Sequence, residues 1–94
     1  MSVASIVEAL ATRDLLNVVD DVGRARHVTR DEICGGVRTK AIVAARHEVW
    51  WRLRHHPELS FSYQEIARLF GRDHTTVLSA VRAYDRSAAC EVAT

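Results

Sequence analysis

SYQEIARLFGRDHTTVLSAVRAY, residues 62–84, is the stretch of the sequence that decides the fold. It opens on a capping box, in which the Ser62 side chain accepts from the Glu65 backbone and the Glu65 side chain reaches back. An apolar run follows and stops at Gly71, because glycine accepts the left-handed backbone found at helix ends. A second helix, residues 74–86, can begin just beyond this turn. The stretch therefore predicts a helix, a tight turn and a second helix, which is the layout of a helix-turn-helix.

The upstream sequence predicts further helices. Residues 4–27 give two weakly amphipathic stretches, with Thr12 as a cap for the second, and TRDE at residues 29–32 is another capping box. The longest helix is expected over residues 37–55, ended by Pro57. One proline and four glycines leave little room for a turn-rich β fold. We expect an all-α, compact helical domain with a helix-turn-helix, a long central helix and short N-terminal helices. The buried positions of that long helix are expected at Ile42, Ala45, Val49, Trp50 and Leu53.

Length and composition narrow the class of protein. Ninety-four residues make one small domain, too few for an ATPase or a two-lobed enzyme. No apolar run reaches the roughly 20 residues that cross a bilayer. The start MSVASIVEAL does not read as a signal peptide. We therefore expect a cytoplasmic protein without membrane contact, and its cysteines, Cys34 and Cys90, are expected to be reduced.

Charge is unevenly distributed along the chain. Residues 38–86 carry nine Lys and Arg against five acidic residues, whereas residues 1–37 carry four Arg against six acidic residues. A basic half on a nearly neutral protein indicates a polyanion partner on one face, with a solvated charged surface as the plain alternative.

The cluster RDHTT at residues 72–76 has the residue types of a catalytic site or a metal site. A catalytic triad would need a nucleophile held by a base, and no second carboxylate is placed to orient His74. A metal site would need three or four convergent ligands; His55 and His56 point apart on a helix and neither cysteine has a CxxC partner. We therefore expect no catalytic residue, no metal, no cofactor and no small-molecule substrate.

Contact with nucleic acid explains the cluster better. At the start of a helix the free backbone N–H groups favour phosphate. Arginine can bond guanine, a carboxylate can accept from the cytosine amino group, and a threonine methyl can pack on thymine. The alternative is that Asp73 merely caps the helix. The residues predicted to read bases are Arg72, Asp73, His74, Thr75 and Thr76.

Several stretches of this sequence closely resemble the C-terminal DNA-binding domain, domain IV, of the bacterial chromosomal replication initiator DnaA. The family pattern reads about G-G-R-D-H-T-T-V, against GRDHTTVLSAVR here. SYQEIARLFG resembles its S-x-x-E-I-x-x-x-F-G, and VRTKAIVAARHEVWWRLR and HVTRDEICGG come before it as in the family. The resemblance covers residues 19–86, and the string RDHTTV is highly specific.

The resemblance implies a helical domain that binds nine-base-pair DnaA boxes in duplex DNA. In that family the signature helix reads the major groove, which corresponds to residues 72–76. A basic residue ahead of the long helix enters the minor groove and aligns with Arg38. The arginine of the A-R pair in that helix contacts DNA and aligns with Arg46.

Other residues are expected to support the same contact. Lys40 and Arg54 belong to the basic half and are predicted phosphate contacts. Ser62 and Gln64 are candidates for phosphate too, since the first helix of such a motif crosses the DNA backbone. For Ser62, a role as a cap alone is an equal alternative.

The chain departs from the family pattern in three ways. A single glycine precedes Arg72 where the family has two, which predicts a slightly rotated recognition helix and an altered base preference. The sequence has no P-loop and no AAA+ module, so we expect no ATP binding. Residues 1–18 have no counterpart in the family pattern.

These observations favour a sequence-specific duplex-DNA-binding protein, associated with the nucleoid, that regulates replication or transcription by occupancy. A protein-interaction adaptor that keeps the fold without DNA affinity is the second hypothesis. The predicted division is an N-terminal helical extension at 1–18, open to a protein partner, the DNA-binding domain at 19–86, and a flexible tail at 87–94.

Overall fold

The computed structural model describes the backbone of residues 2–93 and the side chains of residues 2–87. Over this range the chain is all-helical, as predicted, and none of its helices is long and apolar enough to cross a membrane. The connection between the third and fourth helices, residues 35–39, is called the α3–α4 connector below. The helices are α1 (Val3–Thr12), α2 (Leu16–Arg26), α3 (Arg30–Cys34), α4 (Lys40–Arg54), α5 (Tyr63–Phe70) and α6 (His74–Ala93).

Both predicted capping boxes are present. Thr29 accepts from the Glu32 backbone, and Glu32 accepts from the Thr29 backbone, which starts α3. Ser62 and Glu65 make the same pair of bonds at the start of α5. The bond from the Ser62 backbone holds the pKa of Glu65 below its ordinary value. Local sequence thus sets where these two helices begin.

The long helix α4 lies at the centre of the domain and packs against α2, α3, α5 and α6. Its predicted apolar stripe is buried, with Ala45, Val49 and Leu53 fully covered. Trp50 is 2% exposed, which confirms its prediction as a core residue. Its ring meets Phe70 of α5 edge to face at 5.8 Å, so the central helix is locked to the helix-turn-helix by aromatic packing.

Three boundaries differ from the prediction. Thr12 does not cap α2; it is the last residue of α1, and its hydroxyl donates to the Glu8 carbonyl. The long helix begins at Lys40 rather than at 37, since the Val37 carbonyl accepts from the Arg46 side chain rather than from an amide one helical turn on. The backbone of α6 is helical to Ala93, where a tail was expected from 87. No glycine or proline interrupts that last stretch, so nothing in it ends a helix.

The predicted N-terminal extension is part of the core. Ile6 and Leu10 of α1 are 3% and 0% exposed, and α1 packs against α3 and α5. Leu15, in the turn before α2, is also buried. Packing therefore joins α1 to the same hydrophobic core as the helix-turn-helix.

Gly23 marks a close approach inside α2. A Cβ at this position would lie 2.4 Å from the backbone oxygen of Val28, which is tied back by its own amide to the Gly23 carbonyl at 2.9 Å. Alanine usually stabilises a helix relative to glycine, but here the backbone must move. We expect Gly23→Ala to destabilise the protein by about 1–3 kcal/mol, measured by urea unfolding.

Gly36→Ala is the matched control for Gly23→Ala. Nothing lies within 4 Å of a Cβ built at Gly36, so this change should leave the unfolding midpoint nearly unchanged. A stabilised Gly23→Ala protein would contradict the close packing of α2 against Val28.

Candidate nucleic-acid interface

A single glycine makes the turn between α5 and α6. Gly71 adopts φ 64° and ψ 40°, the left-handed conformation that was predicted. The amide of Arg72 donates to the Ala67 carbonyl at 2.9 Å, and the Asp73 carbonyl accepts from the amides of Thr76 and Val77. The turn thus ends α5 and starts α6 within three residues.

The first turn of α6 stands out from the protein surface. Asp73, His74, Thr75 and Thr76 are all exposed. Val77, Ala80 and Val81 on the same helix are buried and hold it against the core. Because the first amides of a helix have no partner within it, this end presents N–H donors and polar side chains together.

Arg72 differs from its neighbours. It is partly buried, and its terminal nitrogen donates to the Gly35 carbonyl at 2.9 Å, across 37 residues of sequence. The sequence predicted a base-reading side chain here and gave no signal for this bond. Arg72 thereby joins the start of α6 to the α3–α4 connector.

The arginines and the lysine around α4 occupy different environments. Arg38, in the connector, and Lys40, at the start of α4, are exposed, as a contact with DNA requires. Arg46 is 4% exposed. Its Nε donates to the Ile33 carbonyl at 2.8 Å, and a terminal nitrogen donates to the carbonyls of Glu32 and Val37 at 3.0 Å.

The Arg46 side chain, which the sequence predicted to contact DNA, is buried in this structure. The guanidinium is directed into the protein, where it bonds the last carbonyls of α3, and a positive charge is favourable at that helix end. A signal for this was available in the sequence. Position 46 follows Ile42 by four residues and precedes Val49 by three, so it lies on the buried face of α4.

The other three predicted contacts lie around the start of α5. The Arg54 guanidinium sits over the Tyr63 ring at 5.0 Å, and its Nε is buried without a hydrogen-bond partner among the described residues. The Ser62 hydroxyl is engaged as the cap of α5. Gln64 is exposed and lines a shallow surface depression with Arg72 and His74. Gln64 is therefore brought beside the first turn of α6, while Arg54 and Ser62 have partners within the protein.

A groove between α4 and α6 brings in a residue that the sequence did not indicate. His47 of α4 lines it together with Thr75, Thr76 and Ser79. The His47 ring stacks on Trp50 at 5.9 Å. Burial, with a smaller effect from the charge of Arg46, lowers the pKa of His47. This favours the uncharged form of the imidazole, which lies beside the threonines of α6.

Ion pairs join α2 to α3 and to α4. Asp20 pairs with Arg30 at 2.7 Å, and this bond lowers the pKa of Asp20. The buried Glu48 carboxylate pairs with Arg26 at 2.6 Å and with Arg52 at 2.7 Å. Within residues 2–87, no ion pair involves Arg38 or Lys40. Their charges remain available to an outside anion.

Comparison with models of protein families gives a match over most of the chain. The model of the bacterial DnaA protein helix-turn-helix matches residues 16–83. The chain belongs to this family. The DnaA helix-turn-helix segment takes in α2 to α5 and the first half of α6, and membership supports DNA binding. Comparisons with curated proteins and with solved structures find no match.

Proposed function

We propose that the protein binds duplex DNA sequence-specifically, at sites of the DnaA-box type. The observation that carries the proposal is the arrangement of α6, whose first turn exposes a carboxylate, an imidazole and two threonines while the next turns are anchored in the core. This is the arrangement by which the second helix of a helix-turn-helix enters the major groove. The mixture of donors, acceptors and methyl groups suits base edges.

Sequence is proposed to be read by Asp73, His74, Thr75 and Thr76. Arg38, exposed in the connector, is proposed to enter the adjacent minor groove, as the family resemblance implies. Lys40 and Gln64 are proposed to contact phosphate, which positions the protein without reading bases.

The biological role that fits this activity is occupancy of specific sites. A protein that holds a DnaA-type box alters access to it by replication or transcription factors, and it needs no reaction of its own to do so. We propose that the protein acts at such sites in the nucleoid.

Selection of bound sequences from a pool of random duplexes tests the proposal. We expect enrichment of one motif, followed by a gel shift with that duplex at concentrations that leave a scrambled duplex unbound. Absence of a shift with every duplex would leave the protein-interaction adaptor as the better explanation.

Asp73→Ala tests whether the first turn of α6 reads bases. We expect binding to the selected duplex to weaken by about 1–3 kcal/mol, because one base-edge contact is lost. Binding to the scrambled duplex should stay equal or become slightly tighter, since a negative charge near phosphate is removed. Titrations of both duplexes at one salt concentration measure the difference.

Asp31→Ala is the matched control, because Asp31 is also an exposed acidic residue but lies on α3. The Asp31→Ala change should alter the affinities for the two duplexes by the same factor. Equal losses on both duplexes for Asp73→Ala would contradict its proposed role in reading sequence.

A further inference from the structure

The side chain of Arg72 connects two elements that are far apart in sequence. Its backbone amide is fixed to α5 through Ala67, and its guanidinium is fixed to the connector through Gly35. The connector carries the exposed Arg38, and the residue after Arg72 begins the exposed first turn of α6. Arg72 thus spans the gap between the proposed minor-groove and major-groove contacts.

Arg46 holds the same part of the chain from the other side. It binds the carbonyls of Glu32 and Ile33 just before the connector and the carbonyl of Val37 within it. Val37 directly precedes Arg38. Because residues 35–39 form no helix or strand, these guanidinium bonds fix the carbonyls that regular structure would otherwise engage.

Like charges crowd around this segment. Burial lowers the pKa of Arg46, and the charges of Arg72 and Arg38 lower it further. Arginines that repel one another stay together only if acceptors compensate them. Backbone carbonyls do so for Arg46 and Arg72, whereas Arg38 points its charge to solvent, where a phosphate or an A·T-rich minor groove attracts it.

We propose that Arg72 is a positioning residue, which sets the distance between Arg38 and the first turn of α6 by holding the Gly35 carbonyl. This inference rests on the proposed DNA binding and assigns Arg72 a role other than base reading. Two contacts on one duplex bind best when their spacing is fixed beforehand, because ordering them on binding lowers affinity. Gly35 and Gly36 make the connector intrinsically free to move, so a side-chain bond is needed to fix it.

A double-mutant cycle on the selected duplex tests the assignment. Arg38→Ala is expected to weaken binding about tenfold in the wild-type protein but about twofold or less in the Arg72→Ala background. The reason is that a connector already released no longer delivers Arg38 to the minor groove. If the two losses simply add, Arg72 acts independently of Arg38 and the proposal is overturned in favour of direct base contact.

Arg68→Ala is the matched control for the loss of a positive charge. Arg68 is exposed on α5 and lies beside Arg72 and Asp73. In the Arg68→Ala background, Arg38→Ala should still weaken binding about tenfold, because the control leaves the bond to Gly35 intact. If Arg38→Ala weakens binding much less than tenfold in this background, the proposal is overturned, because the loss of any nearby positive charge would then explain the coupling.

NMR relaxation of the backbone amides of the free protein separates this inference from the proposed function. We expect the N–H order parameters of Gly36 and Val37 to be lower in Arg72→Ala than in the wild type and in Arg68→Ala, because the connector loses the bond that fixes it. Unchanged order parameters would overturn the positioning role, whether or not DNA binds. Lower order parameters in a protein that binds no duplex would sink the proposed function and leave the link between Arg72 and the connector standing.

Discussion

Replacing Trp50 by alanine is expected to destabilise the protein by about 3–5 kcal/mol, the range for an aromatic ring removed from a core. Trp50 is almost fully buried and lies between His47 of its own helix and Phe70 of α5. Losing the ring leaves a cavity where the central helix meets the helix-turn-helix. Urea unfolding followed by the helical circular dichroism signal measures the loss.

Trp50→Phe is the sharper comparison. The indole N–H of Trp50 is buried and has no hydrogen-bond partner among the described residues. Phenylalanine keeps an aromatic ring against Phe70 and removes that unpaired donor, whose burial is unfavourable. We expect Trp50→Phe to lose less than about 1.5 kcal/mol. A Trp50→Ala protein as stable as Trp50→Phe would contradict the central packing role of this ring.

Arg46→Met is expected to destabilise the protein by about 2–4 kcal/mol. Methionine fills much of the same space but donates no hydrogen bond, so the carbonyls of Glu32, Ile33 and Val37 lose their charged partner. The removal of a repelled charge beside Arg72 and Arg38 offsets part of this loss. Urea unfolding gives the free energy, and the backbone N–H order parameter of Val37 shows whether the connector is the region released.

Arg82→Met is the control for Arg46→Met, because Arg82 is an exposed arginine on α6. It should change stability by no more than about 0.5 kcal/mol. Equal stability of Arg46→Met and the wild type would mean that water replaces the guanidinium at these carbonyls without cost. The side chain would then be free to serve as the phosphate contact that the sequence suggested.

The parts of the fold that sequence could predict are those with local causes. A serine or threonine three residues before a glutamate fixes the starts of α3 and α5, since both halves of each bond lie within one turn. Gly71 ends α5 because its backbone conformation is a property of the residue itself. The exposure of the first turn of α6 could be predicted as well. The turn at Gly71 and the spacing of the apolar residues in α6 together determine which side of this helix faces solvent.

The parts that sequence could not predict depend on distant partners. Nothing near Arg72 indicates that its side chain ends on Gly35, and nothing near Val37 indicates that its carbonyl accepts from Arg46. A charged residue on the apolar face of a helix was interpreted by its charge, whereas the carbonyls at the end of α3 decided its position. Long-range hydrogen bonds of this kind become visible only when the helices are assembled.

The burial of α1 determines which length of chain folds as one unit. The family match begins at residue 16, yet Ile6 and Leu10 close the core from outside that boundary. The segment that matches the family and the segment that folds are therefore different lengths of chain. A fragment cut at the family boundary would bare the apolar surfaces of α3 and α5 beneath α1, and such surfaces drive self-association.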